Sequence, residues 1–268
     1  LPFKLHDFGF RGVSCVEQAA IGGAAHLVHF QGTDTMVALP LIVNYYHGEP
    51  NAGVSIPAAE HSTITSWGRD REVDAYRNMI QQYAECPAGL YAVVSDSYDI
   101  FEACKIWGTT LKNEVLAGSG TLVVRPDSGT PHVVDVQVIE TLDQYFGHTV
   151  NKKGYKVLHD KVRVIQGDGI DREEAQKILE ALKVRGWSAD NIAFGSGGAL
   201  LQKLSRDTEN FAIKCSLTQR DDGWHDVFKS PITDHTKRSK RGRLALALRD
   251  GVPETVAAEA GVEDCMRT

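Results

Sequence analysis

The stretch VRVIQGDG at residues 162–169 is followed by an amphipathic stretch at residues 172–184. Its first half is rich in β-branched residues, which is typical of a short buried strand. The glycines and the aspartate that follow predict a turn, and apolar residues at helical spacing then predict a helix. This order of strand, polar loop and helix recurs along most of the chain and decides the fold.

Eight stretches are candidates for such strands. They are the beginning of residues 5–12 and residues 25–30, 54–56, 91–94, 121–124, 162–165, 192–194 and 211–215. Helices are predicted between most of them, at residues 15–22, 69–83, 133–146 and 172–184, and in stretches that end near residues 46, 107 and 204. The polar residues 147–160 predict a loop. Strands alternating with helices predict an α/β fold with a parallel sheet, either open or closed, and we expect a barrel-like (β/α) arrangement.

Length and composition limit the function classes. The chain has 268 residues and a formal net charge of -6, whereas a general nucleic-acid-binding protein is more often basic. The sequence contains no apolar run of about 18 residues, so no membrane span is expected. The five cysteines are odd in number and scattered, so we expect a reducing cytoplasm. We predict one barrel-like domain at residues 1–250 and a poorly ordered tail at residues 251–268.

Charged and polar residues follow the predicted strands, whereas the opposite connections are blander. They are Asp7, Arg11, Asp34, His61, Ser95, Asp96, Asp99, Arg125, Asp127 and Asp168. In a parallel barrel the loops after the strands gather at one face, where active sites lie. This asymmetry indicates an enzyme. The alternative is that polar residues simply end strands, which does not explain why Arg, Asp and His recur on one side.

Two kinds of loop suggest a phosphate and a sugar. GSGG at residues 195–198 follows a strand and opens a predicted helix, where backbone N–H groups favour an anion, with Arg206 or Lys214 able to neutralise it. Asp127 and Asp168 end neighbouring strands beside glycine, and their carboxylates suit sugar hydroxyls or Mg²⁺. The alternatives are a tight turn without a ligand and simple Asx-turns.

Two further segments carry ionisable groups. PAAEHSTI at residues 57–64 places His61 after an apolar run, and a placed histidine can carry protons or accept a phosphoryl group. A solvated turn is the alternative. KRSKRGR at residues 237–243 is strongly basic and suits polyphosphate or nucleic acid, or is a solvated flexible loop.

Seven motifs, taken in order, resemble those of the nicotinamide phosphoribosyltransferase family. They are HDFGxRG at residues 6–12, GTDT at 32–35, PAAEHST at 57–63, SDSYD at 95–99, RPDSG at 125–129, QGDG at 166–169 and GSGG at 195–198. The nicotinate enzymes share the architecture and are the nearest competitors. The resemblance implies that nicotinamide and phosphoribosyl pyrophosphate give nicotinamide mononucleotide and pyrophosphate with Mg²⁺. It also implies assistance by ATP, which phosphorylates a histidine.

The resemblance implies a role for each site residue. Those at the base are Phe8, which stacks on the pyridine ring, Asp34, which accepts from the carboxamide nitrogen, Ser95 nearby, and Arg125 against ring and ribose. Those at ribose and phosphate are Asp127, Gly167, Asp168, Gly197 and Gly198, with Arg11, Arg206 and Lys214 on the phosphates. His61 is the phosphorylated residue, with Asp99 as its partner. A carboxylate at Asp34 suits an amide donor and repels a nicotinate anion.

One departure from the family is large. Members carry a long portion before the HDFG motif, which this sequence lacks, and the sequence also ends early. In the family's homodimer that portion supplies an aromatic residue from the other subunit, which closes the ring sandwich with Phe8. Two alternatives therefore remain: a fragment that binds phosphoribosyl ligands without turnover, and an unrelated phosphate-binding barrel enzyme.

Overall fold

The computed structural model describes residues 2–202, 212–261 and 263–265. Its strands are β1 (Leu5–Asp7), β2 (Gly32–Thr33), β3 (Leu90–Val94), β4 (Thr121–Arg125), β5 (His148–Val150), β6 (Lys156–Leu158), β7 (Val162–Gln166), β8 (Ile192–Ser196), β9 (Leu217–Arg220), β10 (Gly223–Asp226), β11 (Leu244–Arg249) and β12 (Val252–Ala257). Its α-helices are α1 (Val16–His26), α2 (Ala38–Tyr46), α3 (His61–Thr65), α4 (Glu72–Tyr83), α5 (Ile100–Gly108), α6 (Lys112–Ala117), α7 (Pro131–Phe146), α8 (Arg172–Val184) and α9 (Gly198–Leu201).

Six strands form one parallel sheet in the order β2-β1-β8-β7-β4-β3. The last of them, β8, pairs with the first, β1, as in a closed barrel. The two edge strands are linked by one segment, in which Val54 bridges to Gly32 of β2 and Ala58 bridges to Ala92 of β3. The curled sheet and its linking segment confirm the predicted barrel-like α/β fold.

Successive residues of a strand point to opposite sides of the sheet, and both sides of this sheet are buried. Val93 belongs to the large apolar cluster between the sheet and the surrounding helices. Ala92, Val123 and Ile165 form a small cluster on the other face, inside the barrel. Phe8 packs against this inner cluster. The barrel is therefore apolar next to Phe8, the first residue after β1.

The long helices agree with the sequence. α8 occupies residues 172–184, as its periodicity predicts, and buries Ile178 and Leu182. Asp171 begins it, since its carboxylate accepts the backbone N–H of Glu174 and satisfies an otherwise unpaired helix donor. Among the helices of the described residues, none is both long and apolar enough to cross a membrane.

The strand predicted at residues 25–30 is wrong. α1 continues through His26, and Leu27 and Phe30 then donate backbone hydrogen bonds to the end of that helix. The strand of this unit is β2, only two residues long. The short apolar run at residues 25–30 resembles a strand, but α1 packs against α2 and α9 and carries its last residues into a helical turn.

The strand predicted at residues 211–215 is wrong for its described part. Residues 212–215 have no regular structure, and residue 211 lies outside the described residues. The antiparallel pair β9 and β10 follows instead. The helix predicted to reach residue 204 ends at Leu201, because the backbone of Gln202 is extended.

Two segments that were predicted to be irregular contain hairpins. The loop predicted at residues 147–160 holds the antiparallel strands β5 and β6. The tail predicted to be poorly ordered at residues 251–268 contains β12, which pairs along its full length with β11. Residues 262 and 266–268 of that tail lie outside the described residues. The division into a domain and a tail at residue 250 stays a prediction, and it would fall between two paired strands.

Candidate active site

The ends of the parallel strands carry most of the predicted site residues to one rim. Phe8 follows β1, Asp34 follows β2, Asp96 follows β3, Arg125 ends β4, and Asp168 follows β7. Gly197 follows β8, and His61 begins α3 directly after the segment that closes the sheet. Parallel strands present their carboxyl ends on the same side, which is why residues far apart in sequence meet here.

His61 lies between two carboxylates. Its Nε2 is 2.9 Å from Oδ1 of Asp96, and its Nδ1 is 3.8 Å from Oδ2 of Asp127. His61 is the first residue of the short helix α3. The carboxylate of Glu60 accepts the backbone N–H of Ser62 and so fixes where this helix begins. Lys229 lies 3.3 Å from the other oxygen of Asp96. The imidazole, two anions and a buried ammonium group therefore form one electrostatic unit.

Both carboxylates beside His61 remain ionised. Burial acts to raise the pKa of Asp96, but the hydrogen bond from His61 and the charge of Lys229 outweigh it, so this pKa lies well below its usual range. Burial likewise opposes ionisation of Asp127, but Arg125, 3.0 Å away, holds the pKa of Asp127 below its usual range. The site can therefore stabilise positive charge on a neighbouring group.

The expected partner of His61, Asp99, is not its partner. The carboxylate of Asp99 accepts the backbone N–H groups of Phe101 and Glu102 and begins α5. Asp96 takes the predicted place. Both carboxylates belong to the motif SDSYD, and the sequence gives no sign of which one turns towards the histidine.

A niche for a flat ring surrounds Phe8. A Cβ atom on Gly195 would come within 1.9 Å of Cε2 of Phe8, so only glycine lets the ring lie there. The imidazole of His6 is 4.8 Å from the Phe8 ring, and the guanidinium of Arg125 is 5.6 Å from it. A Cβ on Gly167 would lie 3.4 Å from Phe8, so this glycine also limits the crowding. The niche therefore combines an aromatic face with a cation.

Asp34 adds a carboxylate near this niche. One oxygen, Oδ1, receives hydrogen bonds from Nε2 of His6 at 2.9 Å and from the hydroxyl of Ser55 at 2.7 Å. Partial burial would raise the pKa of Asp34, but these two hydrogen bonds outweigh it and the pKa is lowered. An ionised carboxylate with one oxygen already occupied keeps the other oxygen to accept from an amide N–H.

Ser95 is not brought to this niche. It is fully buried, and its hydroxyl donates to the carbonyl of Val93 and accepts from Nε1 of Trp107. The resemblance implies that Ser95 lies near a bound carboxamide, but its side chain does not lie in this niche.

Two lysines and a glutamate lie on the side of the rim next to His61. A cavity of about 240 Å³ beside His61 is lined by Lys214, Lys229 and Glu60, among others. Arg11 approaches the glycine loop at residues 195–198, since a Cβ on Gly197 would lie 3.6 Å from its guanidinium. Arg206 lies outside the described residues. A larger, mostly apolar cavity of about 600 Å³ lies beside α8 and contains none of the predicted site residues.

Two site lysines were not predicted as such. Lys229 is almost fully buried against Asp96. Lys237, the first residue of the basic run, pairs with the carboxylate of Asp168 and also donates to the backbone carbonyl of Asp127 at 3.3 Å. Both follow the hairpin of β9 and β10, and only the unusual density of charge near Lys237 marked either of them in the sequence.

A parallel barrel that collects its ionisable side chains at the strand ends belongs to the class of α/β-barrel enzymes. Within that class the sequence shows the family. The model of the nicotinate phosphoribosyltransferase (NAPRTase) family matches residues 3–263, so the chain belongs to this family.

Curated relatives are similar over nearly the whole chain. A nicotinamide phosphoribosyltransferase of Xanthomonas campestris pv. campestris (strain 8004) is 58% identical over 272 residues, which are 98% of this chain and 58% of the relative. One of Mycoplasma pneumoniae (strain ATCC 29342 / M129 / Subtype 1) is 38% identical over 255 residues, 90% of this chain and 53% of the relative. The chain therefore spans a little more than half the length of these relatives.

A solved structure supports the fold alone. It is described as a putative nicotinate phosphoribosyltransferase from Saccharomyces cerevisiae. It superposes with a TM-score of 0.55 at 12% sequence identity and covers 89% of this chain and 55% of its own.

Proposed function

We propose that this chain carries the catalytic barrel of a nicotinamide phosphoribosyltransferase, which joins nicotinamide to phosphoribosyl pyrophosphate and releases pyrophosphate. One observation supports this most strongly. Asp127 contacts Arg125, which lies over Phe8, and also faces His61. The ring niche and the histidine centre therefore share one wall, as a reaction between a base and an activated sugar requires.

The residues suit substitution at the anomeric carbon. The pyridine nitrogen of nicotinamide has no proton to lose, so the reaction needs no general base. The bond from the anomeric carbon to pyrophosphate breaks as the bond to the pyridine nitrogen forms, and positive charge develops on the sugar. Asp127, which is ionised, and Asp168 would hold the ribose hydroxyls and favour that charge, while Phe8 and Arg125 orient the ring.

The departing pyrophosphate needs cations. Lys214, Lys229 and Arg11 border the side of the rim that we propose for the phosphates, and Gly197 and Gly198 begin α9 next to Arg11. Mg²⁺ would be held through substrate phosphates and one or two carboxylates, since the described residues contain no cluster of three ligands. When bound, it would neutralise the charge that develops on the leaving group. Asp127 and Asp168 are the carboxylates best positioned to contribute.

We propose that ATP phosphorylates His61 on Nδ1. The ionised Asp96 can only accept, so Nε2 of His61 donates its proton to that carboxylate, and the neutral imidazole would offer the lone pair of Nδ1. A bond from Nδ1 to the γ-phosphorus would form while the bond from that phosphorus to ADP oxygen breaks. The cationic cavity beside His61 would hold the phosphates.

The base preference follows from Asp34. A carboxylate held ionised by His6 and Ser55 accepts from a carboxamide N–H and repels the carboxylate of nicotinate. Nicotinate phosphoribosyl transfer is the second candidate, because the family model bears that name. A binding fragment without turnover is the third candidate, because the chain spans little more than half of its relatives.

The proposed assembly is a cytoplasmic homodimer with its active site at the subunit interface. Val28, Met36, Tyr45 and Tyr46 are large apolar side chains that α1, α2 and their connection leave exposed, and such surfaces mark interaction sites. The scattered, unpaired cysteines support a reducing compartment. A solution mass of one chain at micromolar concentration would contradict the dimer.

A turnover assay tests the proposed function. The chain is mixed with Mg²⁺, ATP, phosphoribosyl pyrophosphate and either nicotinamide or nicotinate, and the mononucleotide is measured. Nicotinamide should be the better substrate, and Asp34→Ala should lower kcat/KM for nicotinamide by about tenfold or more, since a hydrogen bond to a charged group is lost. Asp160→Asn, at an exposed carboxylate remote from the rim, is the control.

The outcomes separate the candidates. An unchanged preference in Asp34→Ala would remove this residue as the selector of the base. Better use of nicotinate would favour the second candidate. Calorimetric binding of nicotinamide mononucleotide without turnover would favour the binding fragment, and no response to either base would contradict the proposed function.

A further inference from the structure

Gln166 and Asp135 form a buried polar pair directly beneath the turn that carries Asp168. Gln166 ends β7 and Asp135 lies in α7, and both are fully buried. Nε2 of Gln166 lies 3.0 Å from Oδ1 of Asp135, and Oε1 of Gln166 accepts the backbone N–H of Asp168 at 2.9 Å. A chain of hydrogen bonds therefore runs from the helix layer to the rim of the barrel.

The direction of this chain is fixed by chemistry. The backbone N–H of Asp168 can only donate, so the amide oxygen of Gln166 must face it. The amide NH₂ group of Gln166 then faces Asp135, which must supply an acceptor. An apolar residue at position 135 would leave that NH₂ group buried without a partner, and the Gln166 side chain would lose the contact that holds it in place.

Asp135 costs the fold stability. Its second oxygen, Oδ2, is buried without a hydrogen-bond partner among the described residues. Burial raises the pKa of Asp135 to about 8, although the hydrogen bond from Gln166 acts in the opposite direction. The group is therefore neutral near pH 7. An unpaired buried oxygen costs free energy, and a buried polar group kept at such a cost is typical of functional sites.

The turn that receives this hydrogen bond serves both halves of the rim. Asp168 pairs with Lys237 on the phosphate side. The preceding residue, Gly167, leaves room for Phe8 and for Arg125, whose Nε would lie 3.3 Å from a Cβ at this position. Ser196 also anchors the turn, since its hydroxyl donates to the carbonyl of Ile170. A small displacement of this turn would disturb the ring niche and the ribose side together.

We infer that Asp135 is a positioning residue, which acts through Gln166 to hold the turn at residues 167–169 in the geometry that binds the ribose. The ligand assigned to Asp168 rests on the proposed function. The hydrogen-bond chain itself does not, and it can be tested without any substrate.

The first test measures hydrogen exchange at the backbone amide of Asp168 by NMR. Asp135→Leu should speed exchange at this amide by about fivefold or more, the factor expected when one hydrogen bond of ordinary strength is lost. Asp135→Asn keeps an acceptor for Gln166 and should exchange like the unaltered chain. Val138→Ala is the matched control, because it removes buried atoms one turn further along α7 and should leave Asp168 unchanged relative to its neighbours.

The second test measures the affinity for phosphoribosyl pyrophosphate by calorimetry in the same variants. Asp135→Leu should weaken binding by about fivefold, Asp135→Asn should restore the affinity, and Val138→Ala should lower the melting temperature without weakening binding. A merely structural role predicts instead that affinity falls in every variant whose stability falls. Gln166→Met tests the same bond from its other side and should release the same amide if Asp135→Leu does not fold.

The results distinguish the two claims. Unchanged exchange at Asp168 in a folded Asp135→Leu would overturn the inference, as would an Asp135→Asn variant in which exchange is as fast as in Asp135→Leu. If Asp135→Leu does not fold, unchanged exchange in Gln166→Met would overturn it. If exchange responds as expected but the unaltered chain does not bind phosphoribosyl pyrophosphate, the positioning role stands and the proposed function fails.

Discussion

Two buried aspartates of this molecule, Asp96 and Asp135, differ in whether a charged or ionisable group lies beside the carboxylate. Asp96 is buried beside His61 and Lys229, and its pKa is lowered because these partners outweigh the effect of burial. Asp135 is equally buried, but within the described residues its side chain receives a hydrogen bond from an uncharged amide alone, and burial raises its pKa to about 8. One residue is therefore an anion of the site, and the other is a neutral acid in the core.

The raised pKa of Asp135 predicts how stability depends on pH. Burial is the main cause, Glu174 from α8 adds to it, and the hydrogen bond from Gln166 of β7 opposes it. Asp135 contributes most to the free energy of unfolding below about pH 3.9, the pKa of an aspartate in the unfolded chain. This contribution is lost as the pH rises towards about 8, the pKa of Asp135 in the folded protein. Asp135→Asn cannot ionise. Its advantage in unfolding free energy should therefore grow by about 4 kcal/mol between pH 5 and pH 8.5.

Urea denaturation at these two pH values measures the difference. Glu72, whose pKa burial raises to about 7, is present in both proteins, so its contribution cancels in the comparison. An advantage of Asp135→Asn that is equal at pH 5 and pH 8.5 would contradict the neutral, buried acid.

At the residue scale the sequence predicts several rim residues but not their pairings. Asp34, His61 and Asp127 are predicted on one rim because each follows a predicted strand, and Phe8 is predicted from the resemblance. Their role as an active site stays a prediction. The choice between Asp96 and Asp99 depends on how the backbone turns after β3, which no residue pattern records. Lys229 belongs to a segment whose path to Asp96 is set by tertiary packing, and it had no signal at all.

At the scale of elements, capping residues explain where several helices begin. Asp99 begins α5, Asp171 begins α8, and Glu60 begins α3. Each carboxylate accepts backbone N–H groups that have no partner within the helix. Asp99, which was expected to act on His61, is therefore the N-cap residue of α5.

This assignment predicts what Asp99→Ala does. The variant should lose about 1 kcal/mol of unfolding free energy, the usual contribution of a cap, and should leave the affinity for phosphoribosyl pyrophosphate unchanged. Asp171→Ala, at the matching position of α8, is the control and should lose a similar amount. Chemical denaturation and calorimetry on the same samples measure both quantities.

Asp96→Asn provides the contrast. It removes the charge that faces His61 and Lys229, so ligand affinity and stability should both fall, and the loss in stability should exceed that of Asp99→Ala. A loss of affinity in Asp99→Ala with none in Asp96→Asn would restore the pairing that the sequence suggested.

Long elements could be predicted and short ones could not. α8 repeats an apolar pattern over enough residues to define a period, and β4 is a continuous apolar run typical of a buried strand. β2 has two residues and α9 has four, so neither completes a pattern. The segment that links β3 to β2 is held by isolated bridges, which depend on two strands distant in sequence.

At the scale of the whole molecule, closure of the sheet makes the site. An open and a closed parallel sheet have the same local pattern, so the sequence left both possible. The pairing of β8 with β1 and the bridges from Val54 and Ala58 show that this sheet curls into a barrel-like ring. Because the ring closes, the ends of its first and last strands become neighbours, and Phe8 meets Gly195.

The most direct measurement is a crystal structure of the chain with nicotinamide mononucleotide. The account predicts the pyridine ring against Phe8, its carboxamide within hydrogen-bond distance of Asp34, and the ribose hydroxyls within that distance of Asp127 or Asp168. It also predicts the phosphate at Gly197 and Gly198. A nucleotide bound elsewhere, such as the apolar cavity beside α8, would contradict the account, as would a nucleotide that contacts only one half of the rim.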